Sequence, residues 1–246
     1  MKNYVQGKVV VITGGSSGFG LSTAGMLLEM GAQVVITGRS DERLQSAARE
    51  LNSANLLAVQ ADAVKTADWQ KLVRETVGRF GRIDVLVNNH GAGVNITDVE
   101  SFSDEDIDTV LNINLASVIR GCREVTPTMK ARGQGHIINV SSGCAYHSWP
   151  KWAVYTAAKA GMVAFTRSLH LEMAAWGGKA TSFIPGAART NFCGAANIDD
   201  SWLDGYPSAE DFSRTLVHCI DVPDGTVIEE VNVWGTKQVK EMLVPY

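Results

Sequence analysis

The chain has 246 residues, 45% hydrophobic and 20% charged, with a formal net charge of -4 and no block of like charge. That is a globular composition with material for a large core, and it gives no footing for a nucleic-acid or membrane-surface partner. Apolar runs are strand-length, so no transmembrane helix is expected; Cys122, Cys144, Cys193 and Cys219 lack any ligand spacing and read as free thiols of a cytoplasmic protein with no metal site.

The elements alternate from the start. Lys8 to Thr13 is a β-branched run, predicted as a buried parallel strand that enters a glycine turn, which is not the pattern of a signal peptide. Gly18 to Met30 carries Leu21, Ala24, Leu27 and Leu28 at helical spacing, with Gly31 as its stop. Ala32 to Thr37 is the second strand, and Ser40 opens a polar helix that fades by Asn52. Leu56 to Ala61 and Ile83 to Asn88 are strands around a helix over Asp68 to Phe80. Ser103 with Asp106 is a capping-box signature, and it predicts one long helix toward Lys130 with Pro127 near its end. His136 to Val140 is a strand, Trp152 to Trp176 a long helix, and Ala180 to Ile184 a strand. Thr190 to Tyr206 has no period; a loop of that length is usually functional. Ser208 and Asp211 cap a further helix, and Thr226 to Trp234 reads as the last strand.

Strands and helices at this rhythm predict an α/β fold: one Rossmann domain over residues 1–246, with a doubly wound parallel sheet of about seven strands. In such a sheet a ligand sits at the carboxyl ends of the strands. The turn Thr13-Gly-Gly-Ser-Ser-Gly-Phe-Gly20 lies at that end of the first strand. It offers glycine backbone and a helix N-terminus to a pyrophosphate, which marks a nucleotide site. The second strand ends in Gly38-Arg39, with no carboxylate to hold a ribose 2′-hydroxyl. Arg39 suits a 2′-phosphate, so NADP(H) is expected over NAD(H). Tyr155 and Lys159 stand four apart, hence on one helix face. An ammonium beside a phenol is expected to lower the phenol's pKa toward working pH, as a general acid/base requires.

Together these motifs make the chain resemble a short-chain dehydrogenase/reductase of the single-domain Rossmann branch. Thr13 to Gly20 is similar to the family's TGxxxGxG, and Asp62 to its adenine-contacting Asp. Asn88-Asn89-His90-Gly91 resembles NNAG, and Pro185-Gly186 followed by Thr190 resembles the PG motif beside the nicotinamide. The resemblance implies cofactor contacts from Gly14, Ser16, Ser17, Gly18, Phe19, Gly20, Arg39, Asp62, Ala63, Asn89, Gly91, Tyr155, Lys159, Pro185, Gly186 and Thr190. It implies a catalytic set of Asn114, Ser142, Tyr155 and Lys159. Tyr155 would protonate the carbonyl oxygen, Ser142 would orient that oxygen, and Lys159 would tune Tyr155 and hold the ribose. Asn114 would fix a water on the proton path.

Three departures stand out: His90 in place of the small residue of NNAG, Thr181-Ser182 in place of a family Asn, and Val233-Trp234-Gly235 in the tail. His90 is expected to crowd the cofactor or bond to backbone rather than to catalyse. The segment with Tyr146, His147, Trp149 and Trp152 forms a substrate wall in the family, and here it fits a wall, a core or a subunit contact. Phe192 and Trp202 are candidate lid residues.

The expected activity is an NADP(H)-dependent interconversion of a small carbonyl compound and its alcohol. The alternatives are an NAD-linked alcohol dehydrogenase and a non-catalytic dinucleotide sensor. The resemblance also implies pairing through the two long helices, around Val110 to Met129 and Trp152 to Trp176, and apolar residues in excess there, such as Ala157, Ala160, Met162, Phe165 and Leu169, agree with an expected homotetramer.

Overall fold

Seven strands form one sheet in which every pairing is parallel, in the order β3-β2-β1-β4-β5-β6-β7. This is a computed structural model, and it describes residues 2–93, 95–190, 192 and 201–242. The strands are β1 Val9–Thr13, β2 Gln33–Gly38, β3 Leu56–Gln60, β4 Val85–Asn88, β5 Gly135–Val140, β6 Gly178–Pro185 and β7 Glu230–Val233. The helices are α1 Gly18–Glu29, α2 Asp41–Leu51, α3 Thr66–Phe80, α4 Asp104–Leu111, α5 Ser117–Lys130, α6 Ala153–Ala174, α7 Ala209–Ile220 and α8 Thr236–Met242. None of the described helices is long and apolar enough to cross a membrane.

Strand periodicity divides the core in two. Val10, Ile12, Val34 and Ile36 face a layer with Leu27, Leu44 and Leu216, contributed by α1, α2 and α7. Val11, Val35, Leu86 and Ile137 point the other way, onto Trp69, Met129 and Met162 of α3, α5 and α6. Both faces are therefore covered, and the strands read as continuous apolar runs for that reason. Burying each such side chain stabilises the fold by roughly 1.5–3 kcal/mol.

Both predicted capping boxes form. Ser103 and Asp106 close the start of α4, and Ser208 and Asp211 close the start of α7. Two expectations need correction. The predicted single helix toward Lys130 is interrupted by a π-helical turn over Asn112–Ala116. Side chains take up carbonyls along it: Asn114 Nδ2 donates to Val110 O at 3.0 Å and Ser117 Oγ to Ile113 O at 2.6 Å. The last strand starts at Glu230 rather than Thr226. Upstream of it, Lys179 Nζ binds Thr226 O and Thr181 Oγ1 binds Ile228 O at 2.7 Å, so side chains occupy carbonyls that a longer ladder would need.

Candidate active site

A cleft of about 1180 Å³ runs across the carboxyl ends of the strands. At its floor β1 gives way to the glycine turn. Gly14 and Gly18 have φ of 65° and 53°, the left-handed region that glycine enters without strain. Gly20 has no room for a Cβ, which would overlap Gly14 O and Asn89 Nδ2. Asn89 Nδ2 in turn donates to Thr13 O at 3.0 Å and Gly14 O at 3.3 Å, locking the turn. Ser17 caps α1 with no side-chain hydrogen bond to the helix, so the first helical N–H groups face the cleft without a capping partner. Ser16, Phe19 and Thr190 also line the cleft. This cradle fits a phosphate-rich dinucleotide.

One side of the cleft lies past β2 and β3. Arg39 is exposed on its wall, and β2–β3 pairing, with Ala61 N bound to Gly38 O at 3.2 Å, brings the segment with Asp62 and Ala63 to the same side. Gly38 would carry a Cβ 3.3 Å from Ser16 Oγ, so the wall there is narrow and uncharged. Arg43, in the first turn of α2, lines the same end, four residues beyond Arg39. Sequence reading missed it; the Arg-x-x-x-Arg spacing at the start of α2 is the signal that points to it.

The middle of the cleft is lined by Ser142, just after β5, and by Tyr155 and Lys159 of α6, while Asn114 of the π-helical turn is buried beside them without lining the cleft. Tyr155 is 6% exposed, and Lys159 Nζ lies 5.7 Å from the centre of its ring. The pKa expectation for this pair is corrected. Burial pushes the Tyr155 phenol up, the neighbouring Cys144 adds to the rise, and a hydrogen bond with Ser142 works against it. The shift falls on the lysine instead: burial brings Lys159 down to about 8. Lys159 Nζ donates to Val140 O at 3.0 Å, and Ser142 Oγ accepts from Cys144 N at 3.2 Å. Ser141 turns away, donating to Lys159 O at 2.9 Å.

Asn114 bonds beyond its own helix. Its Nδ2 donates to Ala92 O at 2.8 Å and its Oδ1 accepts from Ala92 N at 3.1 Å. A Cβ on Gly91 would sit 3.0 Å from Asn114 Oδ1 and 3.4 Å from Lys159 Nζ, so this glycine keeps the two polar groups close.

His90 neither bonds to backbone acceptors through its ring nor stands idle. Its Nδ1 is 2.6 Å from Thr13 Oγ1 and its Nε2 is 2.7 Å from Ser117 Oγ. Thr13 Oγ1 accepts from Asn89 N at 3.0 Å and His90 N at 3.2 Å, and its own proton faces two acceptors, Val87 O at 3.3 Å and the closer Nδ1. Ser117 spends its proton on Ile113 O, so it accepts from Nε2–H. The ring is neutral at working pH. Burial, with Lys159 and then Arg39 adding to it, holds its pKa at about 3. The buried His136–Thr181 pair at 2.8 Å links β5 to β6 and gives the second departure a structural use.

The far end of the cleft is aromatic. Trp152 and Phe192 stack at 6.3 Å with an interplanar angle of 15°, and Tyr155 meets Trp152 edge-on at 5.4 Å. Trp149 and Trp234 line the same end, while His147 packs on Trp234 edge-on at 5.1 Å. Tyr146 turns outward instead, where its hydroxyl donates to Glu230 Oε2 at 2.8 Å. The side chain of Trp202 lies outside the described residues. Pro185 ends β6, and Gly186 N binds Val233 O at 2.7 Å. Gln238 from α8, which sequence reading missed, accepts from Ala187 N at 2.9 Å and so braces the segment after Pro185-Gly186. Among the described residues no group of three His, Cys, Asp or Glu side chains is arranged to hold a metal ion.

Comparison with known proteins agrees with this architecture. The family profile for short chain dehydrogenase matches residues 8–200. An uncharacterized oxidoreductase of Staphylococcus haemolyticus is 28% identical, over 93% of this chain and 97% of its own. Among solved structures, 3-ketoacyl-(acyl-carrier-protein) reductase from Brucella melitensis complexed with NADH superposes with a TM-score of 0.87 at 29% identity, covering 95% of this chain and 99% of that one. Serine dehydrogenase complexed with NADP+ gives a TM-score of 0.87 at 27% identity, covering 94% and 96%. The glycine cradle, the seven-stranded parallel sheet and these matches together make the chain a member of the short chain dehydrogenase family of oxidoreductases.

Proposed function

We propose that the protein reduces a small carbonyl compound to its alcohol with NADP(H), and that Tyr155 is the general acid. The observation that carries this reading is the buried Tyr155 beside Ser142 and Lys159, midway between the glycine cradle and the aromatic walls. When bound, the dinucleotide supplies the hydride. The elevated pKa of Tyr155 keeps its proton on the phenol at neutral pH, ready for the carbonyl oxygen as negative charge develops there. Ser142 orients that oxygen through its hydroxyl. Lys159, with a pKa of about 8, is mostly ammonium at pH 7 and stabilises the phenolate left behind. Asn114, held by Ala92 and close to Lys159 beside Gly91, would fix a water through which Lys159 exchanges a proton with solvent. Arg39 and Arg43 favour a 2′-phosphate over a bare ribose.

The same reading includes a homotetramer. Met162 and Leu169 are used in the protomer's own core, but Ile119 on α5 and Leu171 on α6 remain 39% and 74% exposed. Two-fold pairing across these helices would cover them. The test is the loss of NADPH absorbance in the near ultraviolet against a panel of ketones, aldehydes and keto acids. Turnover of a carbonyl with NADPH is expected. Tight NADPH binding with no turnover on any of them would make the protein a dinucleotide sensor.

A further inference from the structure

We infer that His90 is a positioning residue: its ring fastens the π-helical turn that carries Asn114 to the end of β1, and turnover depends on that link. The inference rests on the reductase reading above and adds a residue to it. His90 stands two residues beyond β4, which lies between β1 and β5 in the sheet. Its side chain reaches two other segments at once. Thr13, the last residue of β1, meets Nδ1 at 2.6 Å. Ser117, where the π-helical turn passes into α5, meets Nε2 at 2.7 Å. Thr13 and Ser117 are both buried, so the link is shielded from competing water.

Two contacts hold the turn to the segment after β4. One is the pair of hydrogen bonds between the Asn114 amide and the backbone of Ala92, at 2.8 and 3.1 Å. The other is His90 on Ser117, three residues further along. A turn held at one point can pivot about it, and a turn held at two cannot. A π-helical turn departs from the regular α-helical ladder, so its placement leans on such contacts. The glycine cradle does not need the imidazole, because Asn89 ties Thr13 and Gly14 by itself. Removing the ring strands neither hydroxyl: Thr13 still has Val87 O at 3.3 Å, and Ser117 keeps Ile113 O at 2.6 Å. The loss therefore falls on the position of Asn114. The rival use of the ring is volume alone, since Trp69 packs against it edge-on at 6.2 Å.

Three variants separate the bonds from the volume. His90→Phe keeps a ring and removes both hydrogen bonds, and His90→Ala removes ring and bonds together. His90→Gln restores an acceptor and a donor on one planar group. On a carbonyl compound that the natural protein reduces, kcat is expected to fall ~10–100-fold in the Phe and Ala variants, the scale of a group displaced by about 1 Å. KM for the carbonyl compound and the calorimetric Kd of NADPH are expected to stay unchanged, and His90→Gln to recover most of kcat. Amide hydrogen exchange with NADP+ present reads the link without chemistry. Exchange over 112–117 is expected to accelerate in the Phe and Ala variants and not in the Gln variant, with 13–20 unchanged in all three. If the Phe variant does not fold, Ser117→Ala removes the acceptor, keeps the ring and is expected to show the same split. Natural kcat in His90→Phe overturns the inference, and so does a Gln variant as slow as the Ala variant. A loss that appears in NADPH affinity instead of kcat, or unchanged exchange over 112–117, overturns it as well. If the natural protein reduces no carbonyl compound, the reductase reading falls; faster exchange confined to 112–117 then upholds the link, and unchanged exchange removes it.

Discussion

The two ends of the cleft are built on opposite terms. The cradle end uses backbone: glycines that leave no space for a Cβ, a helix start, and Asn89 tying the turn to itself. The aromatic end uses side-chain volume from three distant segments, with Trp152 from the start of α6, Phe192 from beyond β6 and Trp234 from beyond β7. A backbone cradle tolerates almost no substitution and fits one kind of ligand. A wall of rings can be resized one residue at a time, so substrate choice changes without touching the hydride geometry.

The strongest test of this division lies between the two ends. Tyr155→Phe keeps the ring and removes the proton, and turnover is expected to fall by ~10²–10⁴ with NADPH affinity kept. Retention of most activity would refute the assigned acid. Next in size is the cradle's cofactor choice. Arg39→Ala removes charge-assisted bonds worth roughly 1.5–3 kcal/mol each, and Gly38→Asp adds a ribose acceptor. The NADPH/NADH ratio of kcat/KM is expected to stand well above one in the natural protein and to drop below one in the double variant. A natural preference for NADH would mean that Arg39 does not reach the phosphate.

A paired experiment then separates the ends directly. Gly20→Ala forces a methyl group onto Gly14 O, an overpacking of about 1–3 kcal/mol that should weaken NADPH binding by ~10–100-fold. Trp152→Ala should leave NADPH affinity unchanged and raise KM for the carbonyl compound. Calorimetry and steady-state kinetics on both variants would expose any coupling, and a large cofactor defect in Trp152→Ala would break the comparison.

The smallest effect is a stability slope. Lys159 titrates at about 8 in the folded chain against an ordinary 10.5. Between those values the unfolded chain holds a proton that the folded one has lost, so stability rises with pH across that window, by at most about 1.4 kcal/mol per unit. Below about 8 both states are protonated and the full cost of burying the charge applies. Lys159→Met lacks this slope, so its advantage over the natural protein in urea midpoint should shrink from pH 8 to pH 10. A constant difference would contradict the lowered pKa.

Sequence pattern carried the sheet, the two capping boxes and the whole of the cradle, because each depends on local chemistry. β-Branched runs, Ser-x-x-Asp spacings and glycines at fixed offsets act within a few residues of themselves. What stayed hidden depends on neighbours far along the chain. The π-helical turn at Asn112–Ala116 has no compositional mark, since its carbonyls are met by Asn114 and Ser117 only once Ala92 and His90 are in place. Tyr146 belongs by sequence to the aromatic wall but is drawn outward by Glu230, 84 residues away. The direction of the Tyr155 shift was misjudged for a related reason: charge proximity is visible in a four-residue spacing, whereas burial is not.

Gly143 and Trp234 share one space. A single methyl group on Gly143 would enter the indole ring of Trp234. The two positions therefore behave as one heritable unit, although they stand 91 positions apart. Lineages that enlarge residue 143 must first shrink residue 234, and the order matters, because with both side chains large the segment after β5 and the segment after β7 would overlap. The tryptophan in the tail thus holds position 143 at glycine, and drift at either position is licensed only by the other.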